Sequence, residues 1–475
     1  MTKARQLAAA AYELGSAALA AGALQLALRY PMDYVTAALS KGGGVNPVLA
    51  TLAKIKAAAA TYDGQNPIEL SDMASPPTIS FASTTDASLT VKANCGQNPS
   101  QFRVSPGRKY IRNGGGGQYR LYLAGPNISP SAGGLSGLGA TAYTPNLRDN
   151  GESIANAYRV TIRTAAPVVE WQVPRPATNA PYRIIVDGHF VARDGYLPAT
   201  GTADAVAGFL KADFGSSAMR TITLEMQFAN GPMLNVSVAS GYSIAAPPAT
   251  ALLGLCLGDS QVETATHGNN SDGTNPFRAG TSHMVQFADM IGAEVENAAV
   301  GGTGFLNRGT TDASADGSGG NRNNVRQMLP YVMGDADWDY VNIAVSQNDK
   351  WVAGQANVEA NFIAVLDYIR TNYPRTVIFL HGYVWGGAAD ATALAEEARL
   401  FQIADARNDP GIITIPRRTK SGGPPITGTG YVGATNGSGN SDTMISGDGI
   451  HLSREGQNLI AQSDIAIART KLAAL

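Results

Sequence analysis

The stretch Leu252-Leu253-Gly254-Leu255-Cys256-Leu257-Gly258-Asp259-Ser260 decides how the C-terminal half of this 475-residue chain folds. Its first six residues carry no charge, which is typical of a strand buried on both faces of a parallel sheet. Gly258 and Asp259 then end the strand. Because α/β proteins bind ligands at the carboxyl ends of such strands, we expect the hydroxyl of Ser260 to face a cleft.

A second informative stretch, Asp448-Gly449-Ile450-His451, lies just before the last helical segment. The chain has only five histidines, and this one follows an aspartate by three residues. A serine hydroxyl becomes a strong nucleophile when a base removes its proton, and the base must in turn be oriented by a carboxylate. We therefore predict Ser260 as a nucleophile, His451 as its base and Asp448 as the group that orients His451.

Two stretches between them can supply hydrogen-bond donors to a reacting oxygen. The glycine-rich stretch 297–304 presents backbone N–H groups that no side chain obstructs, and the strand-like stretch 341–349 ends in Asn348. The N–H of Ser260, a glycine N–H and the side-chain amide of Asn348 together predict an oxyanion hole, a set of donors that stabilises a tetrahedral intermediate.

In this order the four stretches resemble the SGNH (GDSL-type) hydrolase family, over about residues 250–475. The resemblance implies an ester hydrolase with a doubly wound α/β fold. It carries the family's serine to Ser260, its glycine to Gly302, its asparagine to Asn348, and its Asp-x-x-His pair to Asp448 and His451.

The chain departs from the family pattern in two places. Ser346 stands where the third family block commonly has glycine, which alters the turn but keeps Asn348. The second block offers both Gly301 and Gly302, so either N–H could point into the site.

Length and composition set outer limits on function. A chain of 475 residues is too long for one ordinary core and predicts several domains. A net charge of −2 argues against an electrostatic grip on nucleic acid. With 54 glycines and 15% charged residues, the composition favours a loop-rich extracellular or structural protein. The two cysteines, Cys95 and Cys256, imply no disulfide framework, and Cys256 is read as a buried free thiol.

Residues 1–75 predict a helical anchor or assembly segment, with helices over residues 5–29 and 46–61. Both helices are rich in small residues, so we expect them to bury little surface alone and to pack on partner chains in a homo-oligomer or virion. The opening Thr-Lys-Ala-Arg-Gln-Leu-Ala resembles phage tail-fibre proteins. A cleavable secretion signal is the alternative, interrupted by Glu13, and no stretch is apolar enough to span a membrane. A virion or secreted location follows as an expectation.

Residues 76–248 read as β structure. Residues 76–150 predict a β-rich region with strands near 78–81, 88–92 and 119–123. Residues 151–248 predict a β-sandwich or jelly roll, because short strands near 158–163, 168–173, 182–186, 221–226 and 233–238 are separated by Pro and Gly. Small β domains ahead of an SGNH domain resemble the architecture of polysaccharide O-acetylesterases.

Residues 249–475 predict the doubly wound α/β domain, with helices at 357–371 and 390–406 alternating with strands at 375–380 and 411–415. The Gly/Ser/Thr-rich loop 420–442 precedes Asp448, and a loop of that length commonly shapes a site. Trp351, Trp385 and Tyr431 are candidate substrate contacts that could stack on a sugar, although buried packing is the commoner role of Trp.

The sequence predicts neither a metal site nor a cofactor. It has no Cys/His cluster of zinc-binding spacing and no glycine-rich phosphate loop, and His267 and His283 are read as structural. The leading expectation is a serine esterase that removes O-acetyl groups from a bacterial surface polysaccharide. The alternatives are a non-catalytic adhesin or virion structural protein that binds glycan, and a lipase or thioesterase.

Overall fold

We describe the fold from a computed structural model. It describes residues 47–61, 72–94, 103–105, 109–112, 118–121, 157–174, 180–198, 207–227, 235–247, 252–263, 282–307, 324–333, 337–351, 355–384, 391–421 and 423–475. The helix predicted over residues 5–29 lies outside these ranges.

The N-terminal part is a sandwich of two antiparallel sheets of five strands each. The first sheet, in the order β1-β10-β7-β12-β2, consists of β1 (Thr78–Ala82), β10 (Ala207–Asp213), β7 (Val168–Pro174), β12 (Asn235–Val238) and β2 (Val91–Asn94). The second, in the order β3-β6-β11-β8-β9, consists of β3 (Arg103–Ser105), β6 (Ala157–Thr164), β11 (Arg220–Gln227), β8 (Ala180–Val186) and β9 (His189–Leu197). A separate hairpin pairs β4 (Lys109–Arg112) with β5 (Gln118–Leu121).

Side chains of both sheets share one apolar core around the fully buried Trp171. Strands β1, β2 and β3 belong to these sheets, so described residues between 78 and 105 contribute strands to the sandwich. The strand predicted at 88–92 begins later, at Val91. Asp86 is the reason, because its carboxylate accepts hydrogen bonds from the N–H and hydroxyl of Ser88 and makes a turn there.

The C-terminal part is built on a parallel sheet of five strands in the order β14-β13-β15-β16-β17. These strands are β13 (Leu253–Leu257), β14 (Glu294–Asn297), β15 (Tyr340–Ala344), β16 (Val377–His381) and β17 (Ile412–Ile415). The chain leaves β13 for one edge and returns to its other side at β15. The crevice beside β13 is therefore the place where a doubly wound sheet binds ligands.

Helices pack on this sheet, and β15 and β16 are buried along their whole lengths. The helices of the described residues are α1 (Pro47–Ala60), α2 (Ser260–Glu263), α3 (His283–Met290), α4 (Val325–Val332), α5 (Gln355–Asn372), α6 (Ala391–Ala406), α7 (Ser441–Met444) and α8 (Arg454–Ala474), with a 3₁₀ turn at Gln347–Trp351. Within the described ranges no helix combines the length and apolarity that crossing a membrane requires.

Helix α1 packs on the C-terminal domain, although the sequence assigned it to a separate anchor segment. Val48, Leu52 and Ile55 are buried in the same apolar cluster as Phe379 of β16 and Ile465 of α8. The sequence predicted that this helix packs on partner chains, whereas in the structure it buries its apolar face within its own chain. Its few large side chains recur at helical spacing on one face, and that face covers the sheet.

We predict that Ile55→Ala destabilises the C-terminal domain by about 2–5 kcal/mol, because it leaves a cavity at a fully buried position. Every helix of the described residues packs on this domain, so the loss of helical circular dichroism in urea reports its unfolding. Lys56→Ala, on the exposed face of the same helix, is the matched control and should stay within about 0.5 kcal/mol. Equal unfolding midpoints for the two variants would show that α1 does not support the domain.

Candidate active site

The nucleophile candidate stands at the carboxyl end of β13. The buried strand ends at Leu257, and Ser260 opens the short helix α2. Gly258 is required between them, since a Cβ there would lie 2.7 Å from Cγ2 of Val262 and 3.0 Å from Cβ of Ala344. The backbone carbonyl of Asp259 accepts hydrogen bonds from the next turn, which fixes Ser260 at the sheet edge.

The turn Asp448–His451 brings an imidazole to this serine. Nε2 of His451 lies 2.7 Å from Oγ of Ser260, and its Nδ1 lies 2.6 Å from Oδ2 of Asp448. The other carboxylate oxygen of Asp448 accepts the N–H groups of Ile450 and His451, each at 2.9 Å. The structure thus brings together the three residues that the sequence pattern proposed as nucleophile, base and orienting acid.

The charge state of Asp448 follows from these bonds. Partial burial acts to raise its pKa, but the hydrogen bonds from the His451 ring and from two backbone amides hold the pKa well below its usual range. The ionised carboxylate accepts Nδ1–H of His451. Nε2 then keeps its lone pair and can accept the proton of Ser260.

The structure separates the two candidate glycines of the oxyanion hole. The N–H of Gly301 donates to the buried carboxylate of Glu263 and so already has an acceptor. No acceptor among the described residues takes the N–H of Gly302 or that of Ser260. A Cβ on Gly301 would lie 3.4 Å from Cβ of Ser260, so the glycine turn lies beside the nucleophile. The N–H groups of Gly302 and Ser260 therefore remain as candidate donors for the predicted oxyanion hole.

Asn348 also reaches this turn. Its Nδ2 donates to the carbonyl of Thr303 at 3.0 Å and lies 3.4 Å from Oδ2 of Asp259. Both amide hydrogens thus have acceptors here, and Asn348 can donate to an oxyanion only by giving up the longer contact with Asp259.

Asp349 is a site residue that the sequence reasoning missed. Its carboxylate accepts the backbone N–H groups of Phe305, Leu306 and Asn307 at 2.7, 3.0 and 2.9 Å, and so ties the glycine turn to the 3₁₀ turn that carries Asn348. Burial raises the pKa of Asp349 to about 6 despite these three donors. Its position directly after Asn348 was the available signal.

Ser346, which replaces the family's glycine, connects the three blocks. Its Oγ lies 2.8 Å from Oδ2 of Asp259 and 2.7 Å from the carbonyl of Thr303, and it accepts the N–H of Asn348 at 3.1 Å. A hydroxyl has one proton, yet it faces a carbonyl and a carboxyl oxygen. Every bond is satisfied when Asp259 is protonated, donates to Ser346, and Ser346 donates to Thr303.

Burial acts on Asp259 in the same direction as this bonding pattern. Burial raises the pKa of this carboxyl, opposed by the hydrogen bonds with Gln261 N–H and Ser346 and by the charge of Arg417. A neutral Asp259 also keeps negative charge away from an oxyanion that would form beside Asn348.

We predict that Asp259→Asn keeps turnover near the wild-type value, because the amide reproduces the donor and acceptor of a protonated carboxyl. The folded-state pKa of Asp259 is raised above its unfolded value of about 4, so the wild type loses stability as pH rises from there through the folded-state pKa. The variant should lack this loss in urea unfolding measured across pH. An inactive Asp259→Asn protein that remains folded would show that the ionised carboxylate is needed.

The remaining candidates fall in different places. Trp385 lies outside the described residues, as does His267; Trp351 belongs to the 3₁₀ turn, and its side chain is not described. Tyr431 packs its ring against Gly449, since a Cβ there would lie 3.2 Å from two ring atoms. Tyr431 thus supports the turn of the catalytic base candidate.

His283 is fully buried, and burial lowers its pKa to about 3, in line with its structural reading.

The described residues contain no group of three or more His, Cys, Asp and Glu side chains that could hold a metal ion.

Three solved structures show what the chain is similar to. A family two carbohydrate esterase from Clostridium thermocellum in complex with cellohexaose shares 16% identity at a TM-score of 0.45, covering 68% of this chain and 94% of that one. An acetyl xylan esterase from the rumen bacterium Butyrivibrio proteoclasticus shares 10% at a TM-score of 0.44, covering 84% and 99%. A salicylyl-acyltransferase from a tetracycline biosynthetic pathway shares 17% at a TM-score of 0.47, covering 67% and 82%.

No family model matches the chain, and no curated protein matches its sequence. Identities of 10–17% and TM-scores of 0.44–0.47 are too low to transfer a residue's role to this chain. The site is therefore assigned from the chain's own residues.

Proposed function

We propose that the protein is a serine ester hydrolase of the SGNH type. The observation that carries this proposal is the chain of contacts from Asp448 through His451 to Ser260, with both ring nitrogens of His451 engaged at 2.6 and 2.7 Å. Chance rarely aligns a serine, a histidine and a carboxylate in this order at the carboxyl edge of a parallel sheet.

The reaction follows from this arrangement. Oγ of Ser260 attacks the ester carbonyl while Nε2 of His451 takes its proton. The N–H groups of Ser260 and Gly302, with the amide of Asn348, stabilise the oxyanion. His451 then protonates the alcohol oxygen, the alcohol departs, and the acyl group remains on Ser260. A water, deprotonated by His451, attacks the acyl-enzyme, and the acid departs as Ser260 regains its proton.

We propose further that the ester is an O-acetyl group on a bacterial surface polysaccharide. The loop that precedes Asp448 presents exposed polar side chains, among them Thr429, Asn436 and Ser438, which hydrogen-bond to one another. Asp442 secures the loop by accepting the N–H groups of Asn436 and Gly437. A fixed polar rim suits a hydrated glycan better than the long acyl chain of a lipase or thioesterase substrate. A virion or secreted location is part of the same proposal.

We predict that the protein releases acetate from p-nitrophenyl acetate and from some member of a panel of acetylated capsules, O-antigens and exopolysaccharides. Ser260→Ala should lower both rates about a thousandfold or more, while its circular dichroism and melting temperature stay unchanged. The same polysaccharides, deacetylated with mild alkali, serve as the substrate control.

The outcomes separate the alternatives. Hydrolysis of p-nitrophenyl acetate without acetate release from any glycan would support the esterase and contradict the polysaccharide substrate. Binding of acetylated glycan without any hydrolysis would favour the adhesin. Full activity in Ser260→Ala would overturn the mechanism.

A further inference from the structure

Gln261, the residue directly after Ser260, contacts the chain on both sides of His451. Its Nε2 donates to the carbonyl of Ile450 at 2.9 Å, and its Oε1 accepts the N–H of Leu452 at 3.2 Å. One side-chain amide thus pairs with the two peptide groups that flank the catalytic base candidate. The paired donor and acceptor fix the turn more tightly than a single bond would.

These two bonds differ from the others that shape the turn. Ser446 and Asp448 bind N–H and carbonyl groups inside the turn itself and so define its local conformation. The bonds from Gln261 join the turn to helix α2, which begins with Ser260. They therefore fix how the base stands relative to the nucleophile.

Gln261 is itself held in place by a residue of helix α8. Nε2 of Gln457, on helix α8, donates to the backbone carbonyl of Gln261 at 3.0 Å. Oε1 of Gln457 accepts the N–H of His283 at 2.8 Å and lies 2.7 Å from Nδ1 of the same residue. Helices α3 and α8 thereby support α2 at the residue that contacts the base turn.

The turn needs such a tie because little of it is buried. Ile450, beside His451, is 49% exposed, and Asp448 is also exposed. Apolar packing therefore contributes little to the position of this part of the turn. Gln261 is only 3% exposed, so its side chain is enclosed by protein. It can therefore influence the reaction only through the groups that it binds, which flank His451.

We propose that Gln261 is a positioning residue, which holds the His451 turn against the nucleophile helix. The inference rests on the proposed esterase function. A displacement of about 1 Å between reacting groups can lower a rate about a hundredfold, so the loss of both bonds should be visible in turnover.

The test compares Gln261→Leu with wild type and with Gln172→Leu. Gln172, in β7 of the sandwich, accepts a hydrogen bond from Asn235, so the control makes the same substitution far from the turn. Gln261→Leu should lower kcat on p-nitrophenyl acetate about 10- to 100-fold with KM nearly unchanged. Gln261→Glu keeps the acceptor for Leu452 and loses the donor to Ile450, so its kcat should fall between. Gln172→Leu should match wild type.

A double variant separates positioning from a general structural role. If Gln261 acts through His451, Gln261→Leu should add no further loss to the residual rate of His451→Ala. Losses that multiply in the double variant would overturn the proposal, as would wild-type kcat in Gln261→Leu.

One readout does not depend on turnover. The downfield proton resonance of Nδ1–H on His451, assigned by its loss in His451→Ala, should persist in Gln172→Leu and broaden in Gln261→Leu as the turn exchanges with water. An unchanged resonance in Gln261→Leu would overturn the proposal. If the resonance persists in Gln172→Leu and broadens in Gln261→Leu but the wild type hydrolyses no ester, the esterase function is contradicted and the positioning role remains supported.

Discussion

The contact between Nε2 of His451 and Oγ of Ser260 joins residues 191 positions apart, and the C-terminal domain is organised around it. Local structure alone cannot bring these two residues together. The parallel sheet positions the nucleophile, because β13 places Ser260 at the carboxyl edge beside the crevice between β13 and β15. Helix α8 positions the base, because it begins at Arg454, shortly after the turn that carries His451.

Helix α8 is anchored by a buried ionic network. Asp464 receives Nε of Arg417 at 3.1 Å and lies 2.9 Å from Nδ1 of His381, and all three side chains are fully buried. Burial acts to raise the pKa of Asp464, but Arg417 and His381 hold it well below its usual range. Removing Arg417 or Asp464 would leave an uncompensated buried charge, which commonly costs about 3–5 kcal/mol. The network therefore fixes α8 against β16 and limits where the base turn can lie.

Buried polar side chains likewise fix the backbone that carries the candidate oxyanion donors. Glu263, Asp349 and Ser346 each bind backbone of the glycine turn or groups next to it. Their bonds leave the amides of Ser260 and Gly302 without an acceptor among the described residues. An oxyanion hole needs donors held in place before substrate arrives, and these buried side chains provide that order.

How much the sequence predicted depended on whether the signal was local. Ser260, Asp448 and His451 were proposed from short stretches, because strand ends and turns place such groups in recognisable ways. The strand at 88–92 was misplaced because one side chain, that of Asp86, starts a turn inside an alternating pattern. The packing of Ile55 against β16 and the contacts of Gln261 with Ile450 and Leu452 could not be predicted. They depend on which distant segments meet, and neither residue type signals its partner.

In the proposed reaction, the Asp448–His451 pair makes Ser260 a nucleophile. The most direct measurement is labelling with an active-site-directed fluorophosphonate, followed by intact mass spectrometry and peptide mapping. We expect one adduct per chain, on the peptide that contains Ser260, with labelling strongly slowed in a folded His451→Ala variant. An adduct on another residue, or no adduct on the folded wild-type protein, would contradict this mechanism.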